Sequence, residues 1–183
     1  MLSPALLLWV LLLWVVMPPG AHAGEAPLQR LVGELSQARG AEQATELELE
    51  IETLRESVLQ PTVRLLMRRA QRELAEAHPN GALEDLDDAL DLQPDDPVLW
   101  RERATAKAAA GDLDGAVSDL GGALSRDPSD VLAWQSLARI EEGRGAWPAA
   151  FQAWQHVMSL DPKIEGGAKR LDRLRRRAFG QPA

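Results

Sequence analysis

The sequence has no cysteine. Disulfides, thiol nucleophiles and cysteine metal sites are thereby excluded. Tyrosine is also absent and phenylalanine occurs twice, whereas alanine and leucine abound. Aromatic and β-branched residues favour strands, while Ala and Leu lose little on entering a helix, so the composition predicts helix. Positive charge is in deficit: the net charge is -8, and the whole molecule is no expected nucleic-acid binder. Hydrophobic residues make up 45% and charged residues 26%, a globular balance. The length of 183 residues suits one domain or a short repeat array.

One long apolar run is present, Ala5 to Met17, "ALLLWVLLLWVVM". It is short for a membrane span, which needs about 20 apolar residues. "PPGAHAG" follows, with Ala21 and Ala23 spaced as small residues before a cleavage point. The expectation is a signal peptide over 1–23, cleaved after Ala23. An uncleaved anchor is the alternative, because no Lys or Arg precedes the run. Seventeen Arg against three Lys, with no Cys, point to the periplasm of a GC-rich Gram-negative bacterium.

The chain matches itself at an offset of 34. Trp100 meets Trp134, Ala104 meets Ala138, Gly111 meets Gly145, Ala116 meets Ala150, Leu120 meets Trp154, and Asp127-Pro128 meets Asp161-Pro162. One period earlier, Ala70, Ala82, Leu86, Ala89 and Pro94 fall in the same columns. These residues at this period resemble the tetratricopeptide repeat (TPR) family. The resemblance implies an all-α, right-handed α-solenoid of three helix pairs at 63–96, 97–130 and 131–164. A helical pair over 24–62 precedes them, and a capping helix with tail over 165–183 follows. "PTVRLLMRRA" (Pro61 to Ala70), after a helical pair and an export signal, resembles small exported TPR proteins of Gram-negative bacteria.

Each column has a physical reason. Small residues at positions 8 and 20 let paired helices approach, and a large apolar residue at position 24 fills the space beside them. Gly at position 15 ends the first helix, where positive φ is easy. Proline after the second helix stops it. Seven acids fall between Ala82 and Asp96, among apolar residues at helical spacing, so they are read as a solvated face. Asp112, Asp114 and Asp119 are read the same way. A weak surface cation site and a patch for a basic partner are the alternatives. Gly121-Gly122 inside a helix reads as tolerated rather than as a close approach.

In the N-terminal flank, Leu28, Leu31, Val32 and Leu35 make one apolar stripe, and Ala44, Leu47, Ile51, Leu54 and Val58 a second. The pair is expected to cap the first repeat, with a dimerising seam as the alternative, hence a possible homodimer. In the C-terminal helix, Ile164, Ala168, Leu171 and Leu174 are expected to lie on the third repeat. Its basic cluster (Lys169, Arg170, Arg173, Arg175, Arg176, Arg177) reads as a polar cap or as a contact for an anionic membrane or acidic protein.

No catalytic constellation is visible. After the signal segment only His78 and His156 remain, far apart in repeat coordinates. No phosphate loop, nucleophile elbow or metalloprotease helix occurs. The expectation is therefore no enzyme, no cofactor and no metal. The TPR resemblance implies a concave groove lined by first-helix positions 2, 5, 9 and 12. The residues expected to hold a protein or peptide there are Arg64, Met67, Gln71, Arg101, Thr105, Gln135, Arg139 and Glu142. Arg there offers a fork to a carboxylate, although solubilising arginines are an equal reading. The Lys and Asn pattern of carboxylate-clamp TPRs is missing. The function expected is an exported adaptor or scaffold. A self-associating protein and a membrane-tethered factor are the alternatives.

Overall fold

A computed structural model describes residues 25–180; the expected signal peptide lies outside the described residues. Among the described residues all regular structure is α-helical. In chain order the helices are α1 (Glu25–Ser36), α2 (Ala41–Ser57), α3 (Pro61–Ala75), α4 (Pro79–Leu92), α5 (Pro97–Ala109), α6 (Leu113–Arg126), α7 (Val131–Gly143), α8 (Trp147–Leu160) and α9 (Gly167–Phe179). The sequence period returns in the second helices, which begin at 79, 113 and 147, and in the first helices at 97 and 131. Pairs α3–α4, α5–α6 and α7–α8 stack in order, and α9 closes the series against α8.

Local chemistry places these ends. Asp96, Asp112 and Asp130 accept backbone N–H groups at the starts of α5, α6 and α7, satisfying donors that a helix N-terminus leaves open. Gly111 and Gly145 take φ of +89° and +74° where α5 and α7 end. Ala70, Ala104 and Ala138, with Ala82, Ala116 and Ala150, are all buried at the close approach of paired helices, under Leu86, Leu120 and Trp154. A larger side chain in any of these columns would push the pair apart.

Four expectations change at this level. Asp85 and Asp119 are buried rather than solvated. Arg69 pairs with Asp85, and Arg103 donates to Asp119 at 2.7 Å, with Lys107 at 2.9 Å. Asp96 is also buried, as the cap of α5. Gly122 is a close approach after all: a Cβ there would meet the Trp100 ring at 2.9 Å, whereas Gly121 faces open space. On α9, Gly167 rather than Ala168 is the buried small residue, because a Cβ would stand 2.6 Å from Met158 Sδ.

The fourth change concerns the N-terminal pair. It does not cap repeat one. The apolar stripes of α1 and α2 join the core of repeat three and α9, through Val131, Ala138, Trp154, Val157 and Leu174. Only Leu59, in the link to α3, packs with Val63 and Met67 of repeat one.

Candidate interaction groove

The first helices α3, α5 and α7 lie side by side. Their inner face is the expected groove, and α2 crosses one edge of it. Its course follows the turns that join successive repeats. Gln60 N–H donates to Gln93 Oε1 at 3.2 Å, just after α2 ends. Arg55 Nε donates to Asp127 Oδ2 at 2.8 Å. Glu48 lies against Asp161. Residues 93, 127 and 161 are one repeat column, so α2 runs antiparallel to the order of the repeats. Two turns of helix rise about 10.5 Å, close to the 8–10 Å between packed helices, and this lets α2 keep register from one repeat to the next.

The middle of this contact is an ion network. Arg101 Nη1 donates to both oxygens of Asp130 at 2.9 and 2.8 Å, and Arg101 Nη2 to Glu52 Oε2 at 2.7 Å. Burial alone would disfavour the Arg101 charge, but Asp130 and Glu52 outweigh it and hold the proton above the usual arginine range. Burial likewise pushes the Glu52 carboxyl up, while Arg101 and Arg55 more than offset that, leaving it below the ordinary value. One end of the contact is different. A cavity of about 360 Å³ opens between α2 and repeat three, lined among others by Thr45, Glu48, Gln135, Asp161 and Arg170. Burial, then the Asp161 and Glu52 charges, raise the Glu48 pKa to about 7. Burial also raises that of Asp161.

The eight expected groove residues separate into two groups. Gln71, Thr105 and Arg139 are exposed, one on each first helix at repeat position 9. Gln71 donates to Glu102 Oε2 at 3.4 Å and Thr105 Oγ1 to the Arg101 carbonyl at 3.2 Å, both from exposed residues; the other five are buried, paired or lining the cavity. Arg64 donates to the carbonyls of Glu56, Ser57 and Leu59, satisfying acceptors where α2 ends. Met67 is buried between repeats one and two with Val98 and Leu99, so it is a core residue and not a groove contact. Arg101 is buried beneath α2, which corrects its reading as a free fork. Gln135 lines the cavity. Glu142 accepts from Arg170 of α9 at 2.6 Å, and Arg170 lies 4.2 Å over the Trp154 ring. Sequence reasoning missed Glu48, Glu52, Arg55 and Asp161. Their signal was present: three charged residues at steps of four and three beside the apolar stripe of α2.

The described tryptophans are structural. Trp100 and Trp134 donate to the carbonyls of Pro94 and Pro128 at 2.7 and 3.0 Å, the same bond one repeat apart. His156 stacks on Trp134 at 4.0 Å, away from the groove helices' exposed row. Among the described residues no group of three His, Asp or Glu is placed to hold a metal ion. No described helix is long and apolar enough to cross a membrane.

Residues 97–140 match the family model described as tetratricopeptide repeat. No curated protein matches the chain in sequence. Three solved structures share the fold. The first TPR of Spaghetti (RPAP3) bound to HSP90 peptide SRMEEVD superposes with a TM-score of 0.58 at 18% identity, covering 62% of this chain and 90% of that one. The Sgt2 TPR domain from Aspergillus fumigatus gives 0.60 at 21%, covering 68% and 87%. The TPR2B domain of yeast Sti1, in its pHsp70 complex, gives 0.58 at 18%, covering 67% and 100%. Residues 97–140 thus match the tetratricopeptide repeat model, and the superposed structures establish an all-α helical-repeat fold.

Proposed function

We propose that this chain is an exported, non-enzymatic adaptor or scaffold that binds a peptide or protein segment in the open part of its groove, in assembly or maintenance of the cell envelope. The observation that carries the reading is the exposed row of Gln71, Thr105 and Arg139 at one position of three successive first helices. Such a row presents evenly spaced polar groups to an extended or helical segment. Structures with the same fold support it, since two of them hold HSP90 and pHsp70 partners. Those partners are not transferred here, because this groove lacks the clamp residues. The export part rests on the apolar run from Ala5 to Met17.

A photo-crosslinking residue at position 105 tests the reading, with one at position 84 on the outer face as control. Crosslinks to another protein from 105 but not from 84 are expected. Arg139→Glu should cut that yield about fivefold through lost charge complementarity. Equal crosslinking from both positions, or indifference to Arg139→Glu, would move the site off the groove. N-terminal sequencing of the exported form separates cleavage after Ala23 from a retained tether.

A further inference from the structure

Helix α2 fits the edge of the groove well at two register positions and badly at the third. Arg55 meets Asp127, and Glu52 meets Arg101; both are opposite-charge contacts at 2.8 and 2.7 Å. At the next repeat Glu48 meets Asp161, carboxyl against carboxyl. Glu48 Oε1 and Asp161 Oδ2 are both buried, and no N–H donor or cation reaches either; they bond to each other only while Glu48 keeps its proton, and Asp161 is fully buried. An acceptor facing an acceptor gains nothing without a proton or a cation between them. The other charged groups around the cavity do not supply the cation. Arg170 is engaged by Glu142 and lies on Trp154, Glu165 is a further acid, and Glu52 and Arg55 of α2 are committed to Arg101 and Asp127. The cavity of about 360 Å³ beside the pair marks the same poor fit.

We propose that the face beneath α2 is a docking surface for an amphipathic helix of a protein partner, and that this helix carries Lys or Arg where α2 carries Glu48. This rests on the protein-binding reading above and names its ligand. The surface dictates the pattern. Asp161 calls for a cation, Arg101 for a carboxylate four residues later, and Asp127 for a cation three residues after that. Val131 and Leu132 take the apolar stripe that Leu35 and Ile51 meet now. Helix α2 satisfies all of this except the first cation, so it is a resident occupant of reduced affinity that a better-matched helix displaces. Both occupants use the same face, so partner binding displaces α2.

The test uses the full chain carrying Ile51→Asp, which weakens its own α2, and labelled synthetic peptides of residues 41–57 followed by fluorescence anisotropy. At about pH 8, above the pKa of about 7 that Glu48 takes against Asp161, the peptide with Glu48→Lys should bind about tenfold more tightly than the native-sequence peptide. Adding Glu52→Lys to that peptide should abolish binding. The full chain with only its own Glu48→Lys should bind the peptide about tenfold more weakly than wild type, because its resident helix is now the better occupant. Equal affinity of the two peptides overturns the proposal. So does a chain that runs as a dimer in light scattering and whose dimer the Glu48→Lys peptide does not dissociate; the occupant is then a second copy's α2. Circular dichroism of each chain variant reports whether the stack is intact. Peptide failure with continued crosslinking at position 105 removes this ligand and leaves the adaptor reading standing; loss of both removes the adaptor reading.

Discussion

Repeats two and three present the same aspartate to the same helix, with opposite results. Asp127 and Asp161 each accept the backbone N–H two residues on, at 2.9 Å from Ser129 and 3.0 Å from Lys163. The turn between repeats therefore explains the aspartate, whatever lies above it. The second oxygen remains for α2. At repeat two it receives Arg55; at repeat three it faces Glu48. A residue fixed by local turn chemistry thus becomes half of an interface, and the partner helix decides whether that half attracts or repels.

The strongest way to break the contrast is to remove the centre of the attractive side. Asp130→Ala leaves the buried Arg101 with Glu52 and the more distant Glu102, at 3.7 Å, and strips the cap from α7. We expect a loss of about 3–5 kcal/mol in urea unfolding, the scale for breaking a buried ion pair from one side. Next comes Arg55→Ala, which frees Asp127 and Glu52 of a cation whose side chain is 4% exposed. Docking of α2 should weaken by about 2 kcal/mol, read as faster amide exchange in α2 with the α5 and α6 amides unchanged.

On the repulsive side the lever is pH. Glu48 keeps its proton up to about 7 when α2 is docked, against an ordinary value of 4.5. The docked state therefore binds more protons between those values, so the Glu48 contribution to docking is fully present below the lower value and is lost progressively as pH rises through the higher one. Protection factors of the α2 amides, which remove the intrinsic rise of exchange with pH, should fall across that interval and then level off. Glu48→Gln supplies an N–H donor to Asp161 at every pH. It should flatten the profile and, at about pH 8, tighten docking by about 1 kcal/mol, a value reduced for solvent access.

The two sides also differ in how legible they were. The stack was readable because its columns are steric: alanine at the helix crossings and a large apolar residue beside them recur every 34 residues. Side-chain pairing across a repeat was readable in principle and was missed. Arg69 with Asp85 and Arg103 with Asp119 occupy the same two columns, where repeat three has Leu137 and Ala153. Charge in both columns or in neither is the mark of a contact. The position of α2 is harder. Its apolar stripe demands a cover but does not choose between repeat one and repeat three. That choice depends on Asp127 and Arg101 lying in line with Arg55 and Glu52, which no local pattern displays. For the same reason Arg101 read as a free groove residue, whereas Gln71, Thr105 and Arg139, beyond the reach of α2, stay exposed.

The smallest expected effect sharpens the contrast by leaving it untouched. Position 15 of repeat one is Ala77, where repeats two and three have Gly111 and Gly145. All three close the same motif: His78, Asp112 and Ala146 donate back to Glu73, Lys107 and Glu141 at 2.8, 2.9 and 2.9 Å. Ala77 does so at φ +61°, a left-handed backbone that costs a Cβ-bearing residue and not glycine. Ala77→Gly removes that strain and adds some unfolded-state entropy, for a net gain of about 0.5–1 kcal/mol in urea unfolding. Ala77 is exposed and lies on no path between α2 and the turns it follows. The pH profile of α2 exchange should therefore stay superimposable on wild type. A shifted profile would mean that α2 responds to the stability of the whole stack rather than to the charge it meets at residues 127 and 161.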